Sequence, residues 1–483
     1  MGINKFKSFL LKTKRADLLK NIITILMVMV ALLVDIINPI AGMIMVFGCV
    51  TVLVIIKEPV YGIIVLILMI PFVGLPSLNK QIAGIPGFKP QNIISILVLI
   101  LFVTSKKPEP VGKLEKSFCI IIPVILVLSN LRTLLFLDNF NAFALESLDS
   151  FRFLLSYLLK PALFFLMFVL IIFYIRSEKN ILTVFNGIFA SISALSIFII
   201  INYIFFVGNK TDFEMVRDQI GKSLNMHGND IADFYIITIP ITVAFLLNKK
   251  SFLLKCTLAL SLITVAILYS RTAYLVIAIC ILIFFFISGR KNKLPPLLFF
   301  GTIAGIFLVP RSMINRLMMG IGGGMSNLND ITAGRTDDIW QPLIDEYISK
   351  PLAMLFGNGR YSIIQTDAFI TGKILQVGHP HNMYIEMVLD AGLIGLVIYI
   401  VLYTKLLKKL AGAAGELHEN PLHRDVIYAI IVATIGYFIS GLSGRTLFPA
   451  ATNAYIQVLL ALGFTISYLH KNHTSTEPYN LQS

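Results

Sequence analysis

Two of the seven histidines in this 483-residue chain, His379 and His381, flank Pro380 directly ahead of an apolar run, "GHPHNMYIEMVLDAGLIGLVIYI" (378–400). A histidine near neutral pH can take a proton from an attacking hydroxyl. Pro380 stiffens the approach and holds His381 at the start of the run. Asn382 then stands where a side-chain oxygen caps a helix. Taken alone, histidines at a span end make local hydrogen bonds, so the reading turns on what surrounds them. Arg271 opens an apolar run in "SRTAY", Arg335 lies in "AGRTDDIW", Arg360 in "LFGNGRYS" and Arg445 in "SGRT". Each guanidinium is a planar fork of donors that matches phosphate or carboxylate oxygens. Asn229, Asp230 and Asp233 sit at the start of a further run. Several arginines and a histidine on one face suit a lipid-linked pyrophosphate. The arginines bind the diphosphate and stabilise its charge as it leaves, and the histidine serves the incoming hydroxyl. No acidic metal cluster is evident, so arginine would do what a divalent cation does elsewhere, and no cofactor is expected.

The elements that must position these residues are membrane spans. The chain is 57% hydrophobic and 14% charged, against about 25% charged for a soluble domain, and its mean hydropathy is +0.84. Apolar runs of bilayer length recur, without the ten-residue alternation of a barrel. The fold class is therefore all-α, a polytopic bundle of about 12–14 spans. Hydropathy places them near 21–37, 40–56, 60–76, 91–104, 117–136, 154–175, 181–206, 232–248, 252–269, 272–289, 294–310, 383–404, 426–443 and 452–469. The first follows six basic residues between Lys5 and Lys20 and reads as an uncleaved span. The four cysteines all fall inside spans and offer neither a disulfide framework nor metal-ligand spacing.

With both termini in the cytoplasm, the inside loops hold lysine clusters such as Lys106 and Lys107, Lys249 and Lys250, and Lys408 and Lys409, as the positive-inside rule requires. The arginines divide differently. Nine of the 13, namely Arg132, Arg152, Arg217, Arg271, Arg311, Arg316, Arg335, Arg360 and Arg445, fall on the outer side. Setting the orientation needs only positive charge, so the bias of the set points to fork-shaped recognition of anions, while any single arginine could equally anchor a span end to lipid headgroups. The net charge of +14 comes from scattered inside lysines and does not suggest nucleic acid.

Three outside segments are long: 137–153, 207–231 and 311–382. The last has room for two or three short helices. Its "GIGGGMSNLND" (320–330) is a hinge-like stretch without a Walker pattern. "TAGRTDDIWQPLIDEYISKP" (332–351) predicts an amphipathic helix, capped by Thr336 or Asp337, ended by Pro351, with Ile339, Leu343 and Tyr347 on its apolar face. Gly392 and Gly395 read as helix-packing glycines. Glu386 and Asp390 lie inside the span and read as partners for a neighbouring arginine before they read as catalytic groups.

His381-Asn382, nine residues, then Gly392-Leu393-Ile394-Gly395 resembles the His-Asn-x9-Gly-x-x-Gly signature of the bacterial O-antigen ligase and O-antigen polymerase superfamily. "SRTAYLV", "AGRTDDIW" followed by "LFGNGRYS", and "HGNDIADFYIITIPI" are similar to further elements of that family, in its order, over roughly 225–400. The resemblance implies a membrane glycosyltransferase of the GT-C type in the bacterial inner membrane, with its active face periplasmic or outer. It implies an undecaprenyl-diphosphate-linked glycan as donor and a lipid A-core or other glycan hydroxyl as acceptor, within membrane lipid. His381 carries over as base or acceptor-positioning group, and Arg271 and Arg335 as diphosphate binders. Arg360, Arg445, His379, Asn382 and Asn229 join them as substrate-binding candidates from topology. Three units follow: an N-terminal bundle (1–224), a ligase-like core with the large loop (225–404) and a C-terminal part (405–483). Ligase, polymerase and protein O-oligosaccharyltransferase share the motif, and the short C-terminal tail disfavours the last. The rival class is a flippase or transporter of lipid-linked oligosaccharide, which would show two related halves with broken helices at the midplane.

Overall fold

A computed structural model describes residues 48, 50–79, 89–105, 107–210, 212–293, 334–374, 377–444 and 446–474. The expected spans at 21–37 and 294–310, most of 40–56, the glycine-rich stretch, and Arg311, Arg316 and Arg445 lie outside them. All secondary structure among the described residues is helical. The helices used below are α1 (Val60–Met69), α2 (Pro90–Ser105), α3 (Lys113–Thr133), α4 (Leu137–Ala144), α5 (Lys160–Tyr174), α6 (Glu178–Phe205), α7 (Phe213–Leu224), α8 (Gly228–Asn248), α9 (Phe252–Leu268), α10 (Arg271–Ile287), α11 (Gln341–Ser349), α12 (Pro351–Phe356), α13 (Met383–Glu416), α14 (Pro421–Ser440) and α15 (Ala451–Thr474). Each expected span within the described residues is a helix. Among the described residues, seven helical stretches are long and apolar enough to cross a bilayer, and four shorter apolar ones accompany them.

Composition decides who sits in the middle. α8 is apolar all round and lies in a stretch whose span window is 83% buried, as is that of α15, whereas only 28% of the window from α3 is buried. A helix without a polar face belongs inside. α8 packs along α14, α9 and α10, and α15 along α5. On α3, Ile120, Val124 and Leu128 recur every fourth residue and stay exposed, an apolar stripe that a bilayer would cover. The helix starts are written in the sequence: Ser177, Ser251, Ser270, Asn382 and Asn420 each accept a backbone N–H at the start of α6, α9, α10, α13 and α14.

A second, smaller core stands at one end of the bundle. Phe140 and Phe153 meet Ile339, Leu343, Tyr347, Ile363 and Leu389 there. The expected amphipathic helix forms, beginning with a π-helical turn at Thr336–Trp340 and continuing as α11. It buries Ile339, Leu343 and Tyr347 as its spacing requires. Neither Thr336 nor Asp337 caps it. Helical backbone already includes Arg335, so both residues fall in the first turn. Pro351 closes α11 and opens α12.

α13 is two helices. Gly392 breaks it at φ 76° and ψ 172°, a conformation reserved for glycine. The freed backbone is not wasted: Leu389 and Asp390 carbonyls accept from Asn358 and Gly359 N–H at 2.8 and 3.0 Å. A Cβ on Gly392 would stand 2.1 Å from the Leu355 carbonyl oxygen. Gly392 therefore packs against a helix, α12, as expected, but it does so by leaving its own. Gly392→Ala should lower stability by about 1–3 kcal/mol for the backbone alone, with the overlap adding to it; thermal unfolding in detergent reads the loss.

Candidate active site

His381 is held by its backbone. It adopts a left-handed φ of 54°, unusual for a residue with a Cβ. Its N–H donates to His379 Nδ1 at 3.2 Å, and the two rings lie edge to face with centroids 4.0 Å apart. Asn382 then caps α13 by accepting from the Tyr384 and Ile385 N–H groups at 3.0 and 3.2 Å. The turn is pinned from outside: the Trp340 indole N–H donates to the Pro380 carbonyl at 2.8 Å. The single tryptophan thus fastens the His-Pro-His turn to the helix that begins at Arg335.

A chain of hydrogen bonds joins the remaining segments around this turn. α9 and α10 are linked by Tyr269, at a left-handed φ of 48°, and Ser270, which puts Arg271 at the first residue of α10. Its neighbours are both tied down. Ser270 donates to Asn229 Oδ1 at 3.1 Å, and Arg217 donates to the same oxygen at 2.8 Å. Thr272 shares a hydrogen bond with the Ser443 hydroxyl at 3.0 Å, and the Ser443 carbonyl accepts from Arg335 at 3.2 Å. Asn229, Arg271 and Arg335 are therefore brought to one end of the bundle from α8, α10 and the α11 region, together with the end of α14.

The field at His381 reflects this gathering. Its pKa is lowered from 6.5 to about 3, first by burial, then by electrostatic repulsion from His379, Arg335 and His227. His381 is a neutral imidazole at physiological pH, set in positive potential. His227 belongs to this surrounding and Arg217 adjoins it through Asn229; neither was singled out as a site residue. The signal available for them was their place in a long outside segment just before "GNDIADF".

Arg360 occupies a different place. Its Nη1 donates to Glu386 at 2.9 Å and to Asp390 at 3.0 Å, and its guanidinium lies 4.1 Å from the centre of the Phe448 ring. Glu386 and Asp390 thus have the arginine partner expected of them. Arg132, another outer arginine, donates to the carbonyls of Phe356 and Gly357 and caps the end of α12. Arg445 lies outside the described residues. Among the described residues, no three His, Cys, Asp or Glu side chains form a group suited to a metal ion.

The fold and this site define a multi-pass helical membrane protein with a cationic, histidine-bearing site at one end. A family model described as O-antigen ligase matches residues 256–400. Over this stretch, from the first turns of α9 to the middle of α13, the chain is similar to the O-antigen ligase superfamily. That stretch holds Arg271, Arg335, Arg360, His379, His381 and Asn382, while Asn229, Arg217 and His227 precede it. The family supports a glycosyltransferase-like ligase role and, in general, lipid-linked glycan and acceptor substrates. No curated protein matches the chain at a significant level.

Proposed function

We propose that the chain transfers a glycan from an undecaprenyl-diphosphate donor to a sugar hydroxyl, as an O-antigen ligase or a surface-polysaccharide polymerase of the bacterial inner membrane. The acceptor is a lipid A-core or a growing glycan. The site end of the bundle faces the periplasm or the exterior, and both termini are cytoplasmic. One observation carries the reading: separate segments at one end of the bundle bring arginines and a neutral histidine together. A transporter would instead line both sides of a central path. In this reading Arg271 and Arg335 hold the diphosphate, and Asn229 fixes the Arg271 turn through Ser270. The acceptor oxygen attacks the anomeric carbon and the glycosyl–phosphate bond breaks with its electrons going to the diphosphate. The acceptor proton passes to His381, and the anomeric centre inverts. His379 and Asn382 position His381. Arg360 serves the substrate indirectly, by fixing the turn that carries it.

The test is reconstitution of the purified protein with an undecaprenyl-diphosphate glycan, with and without a lipid A-core acceptor, read on a gel. A ladder without added acceptor identifies a polymerase, and a single shift only with acceptor identifies a ligase. Arg335→Lys keeps the charge but loses the fork, and should cut transfer on the order of 10²-fold, the scale of one preorganised donor to a developing anion. Wild-type protein inert with every donor and acceptor would sink the proposal.

A further inference from the structure

Beside the His227 turn lies a cleft of about 530 Å³, lined in part by Glu214, Arg217, Asp218, Lys222, Asn225 and His227. It is within the ~300–1,000 Å³ range of small-ligand sites. α7 builds it deliberately. Asp212 caps the helix by accepting from the Glu214 and Met215 N–H groups, and Asn225 closes it in the left-handed region at φ 49°. Val216, Ile220 and Leu224 bury one face, which leaves Glu214, Asp218 and Lys222 on the other. The cleft is tied to the candidate active site by contacts already described. Arg217, on its wall, donates to Asn229, which also accepts from the residue capping the Arg271 helix. His227, at its edge, caps α8 by accepting from the Asn229 N–H at 3.2 Å.

The lining is unlike that of the arginine site. Two carboxylates face two cations, and Asp218 and Lys222 already pair at 2.6 Å. Such a surface has no net attraction for a second diphosphate. It offers both acceptors and donors, the mixture that the hydroxyls of a sugar require. We propose that this cleft binds the terminal saccharides of the acceptor, a neutral, hydroxyl-rich glycan, and that the His227 turn leads its reacting hydroxyl to His381. Glu214, Asp218 and Asn225 accept from sugar hydroxyls, and Lys222 donates to them. The proposal rests on the transferase reading of the neighbouring site. It also places acceptor recognition outside the matched ligase stretch, so that acceptor choice is separable from the shared chemistry.

The experiment places a photo-cross-linking benzoylphenylalanine at Asp218 or Lys222 of the full chain in the producing cells. Exposed Arg152, near the smaller core, and exposed Lys116 serve as controls. Illumination should give carbohydrate-bearing adducts at 218 and 222 and none above background at the controls. In the reconstituted reaction, Glu214→Gln with Asp218→Asn should raise the acceptor KM about tenfold, equivalent to losing one charged hydrogen bond, with the donor KM unmoved. Carbohydrate-free illumination products at both cleft positions, or an unchanged acceptor KM, would overturn the proposal. Surface glycan that persists in cells lacking the chain would instead overturn the transferase reading; the adducts, which need no turnover, report on the cleft either way.

Discussion

His381→Asn should cut glycan transfer by about 10²–10⁴-fold, the contribution of a positioned general base, and leave the fold in place. Asparagine is chosen because it tolerates the left-handed backbone that His381 adopts, so the variant removes basicity without adding strain. It also retains a hydrogen-bonding side chain. If His381 only orients the acceptor, His381→Asn keeps most of the activity, and the proton-transfer role is wrong. Product formation on a gel, beside an unchanged melting temperature, reads the difference. The pH profile supplies a second test. With its pKa lowered to about 3, free His381 stays neutral on acidification, so kcat/KM should stay flat from about pH 7 to 5, where an ordinary histidine would lose its basicity. A bound diphosphate offsets the charge of Arg335, which raises the pKa in the complex. The acid limb of kcat should therefore lie at higher pH than that of kcat/KM. The same shift opposes folding in acid. The unfolded chain takes up this proton near 6.5 and the folded chain only near 3, so stability is lost as pH falls between the two.

The spans within the described residues were legible because a bilayer writes length and hydropathy into them. The caps were legible too: Asn382 and Ser270 stand where side-chain oxygens satisfy the first N–H groups of a helix. The hairpin that puts Arg271 at a helix start could be read from the shortness of the link. What composition and spacing leave out is which partner each arginine meets. Arg271, Arg335, Arg360 and Arg132 look alike as outer arginines, yet Arg132 ends as a cap on α12 and Arg360 as the centre of a buried ion network. That sorting depends on contacts between residues more than 20 positions apart, such as Arg132 with Phe356. Gly392 shows a related limit. Gly-x-x-Gly in an apolar run has the pattern of close helix packing, and close approach is found. The break in the helix is not in the pattern, because it arises from the 355–359 backbone that replaces the lost intrahelical partners. Arg217 lies in no quoted motif and His227 stands only at the edge of one, so neither was singled out; the folded α7–α8 corner puts both beside Asn229, and His227 within the field of His381.

Arg360→Ala should destabilise the protein by about 3–5 kcal/mol, the cost of removing one partner from a buried ion pair. Glu386 and Asp390 lie one turn apart on α13, with side-chain exposures of 13% and 3%. Without the guanidinium between them, two like charges would share a dry site. The network also fixes the fold around it. Arg360 N–H donates to the Ser129 carbonyl at 3.1 Å, Thr133 donates to the Arg360 carbonyl at 2.9 Å, and Asp390 accepts from both the N–H and the hydroxyl of Ser362 at 3.2 Å. α3, the 357–362 turn and the outer half of α13 are thereby locked together, and the outer half of α13 is what carries His381. Burial opposes the charge on Arg360, but Glu386 and Asp390 outweigh it and hold the guanidinium above its ordinary pKa, so Arg360 stays charged at any working pH. Combining Arg360→Ala with Glu386→Gln and Asp390→Asn removes the stranded charges and should restore part of the lost stability. Thermal unfolding in detergent, with the donor KM measured in parallel, separates the two roles open to this residue. A fall in stability that the triple variant partly reverses marks a structural bolt. A normal melting temperature with a raised donor KM would return Arg360 to the diphosphate site beside Arg271 and Arg335.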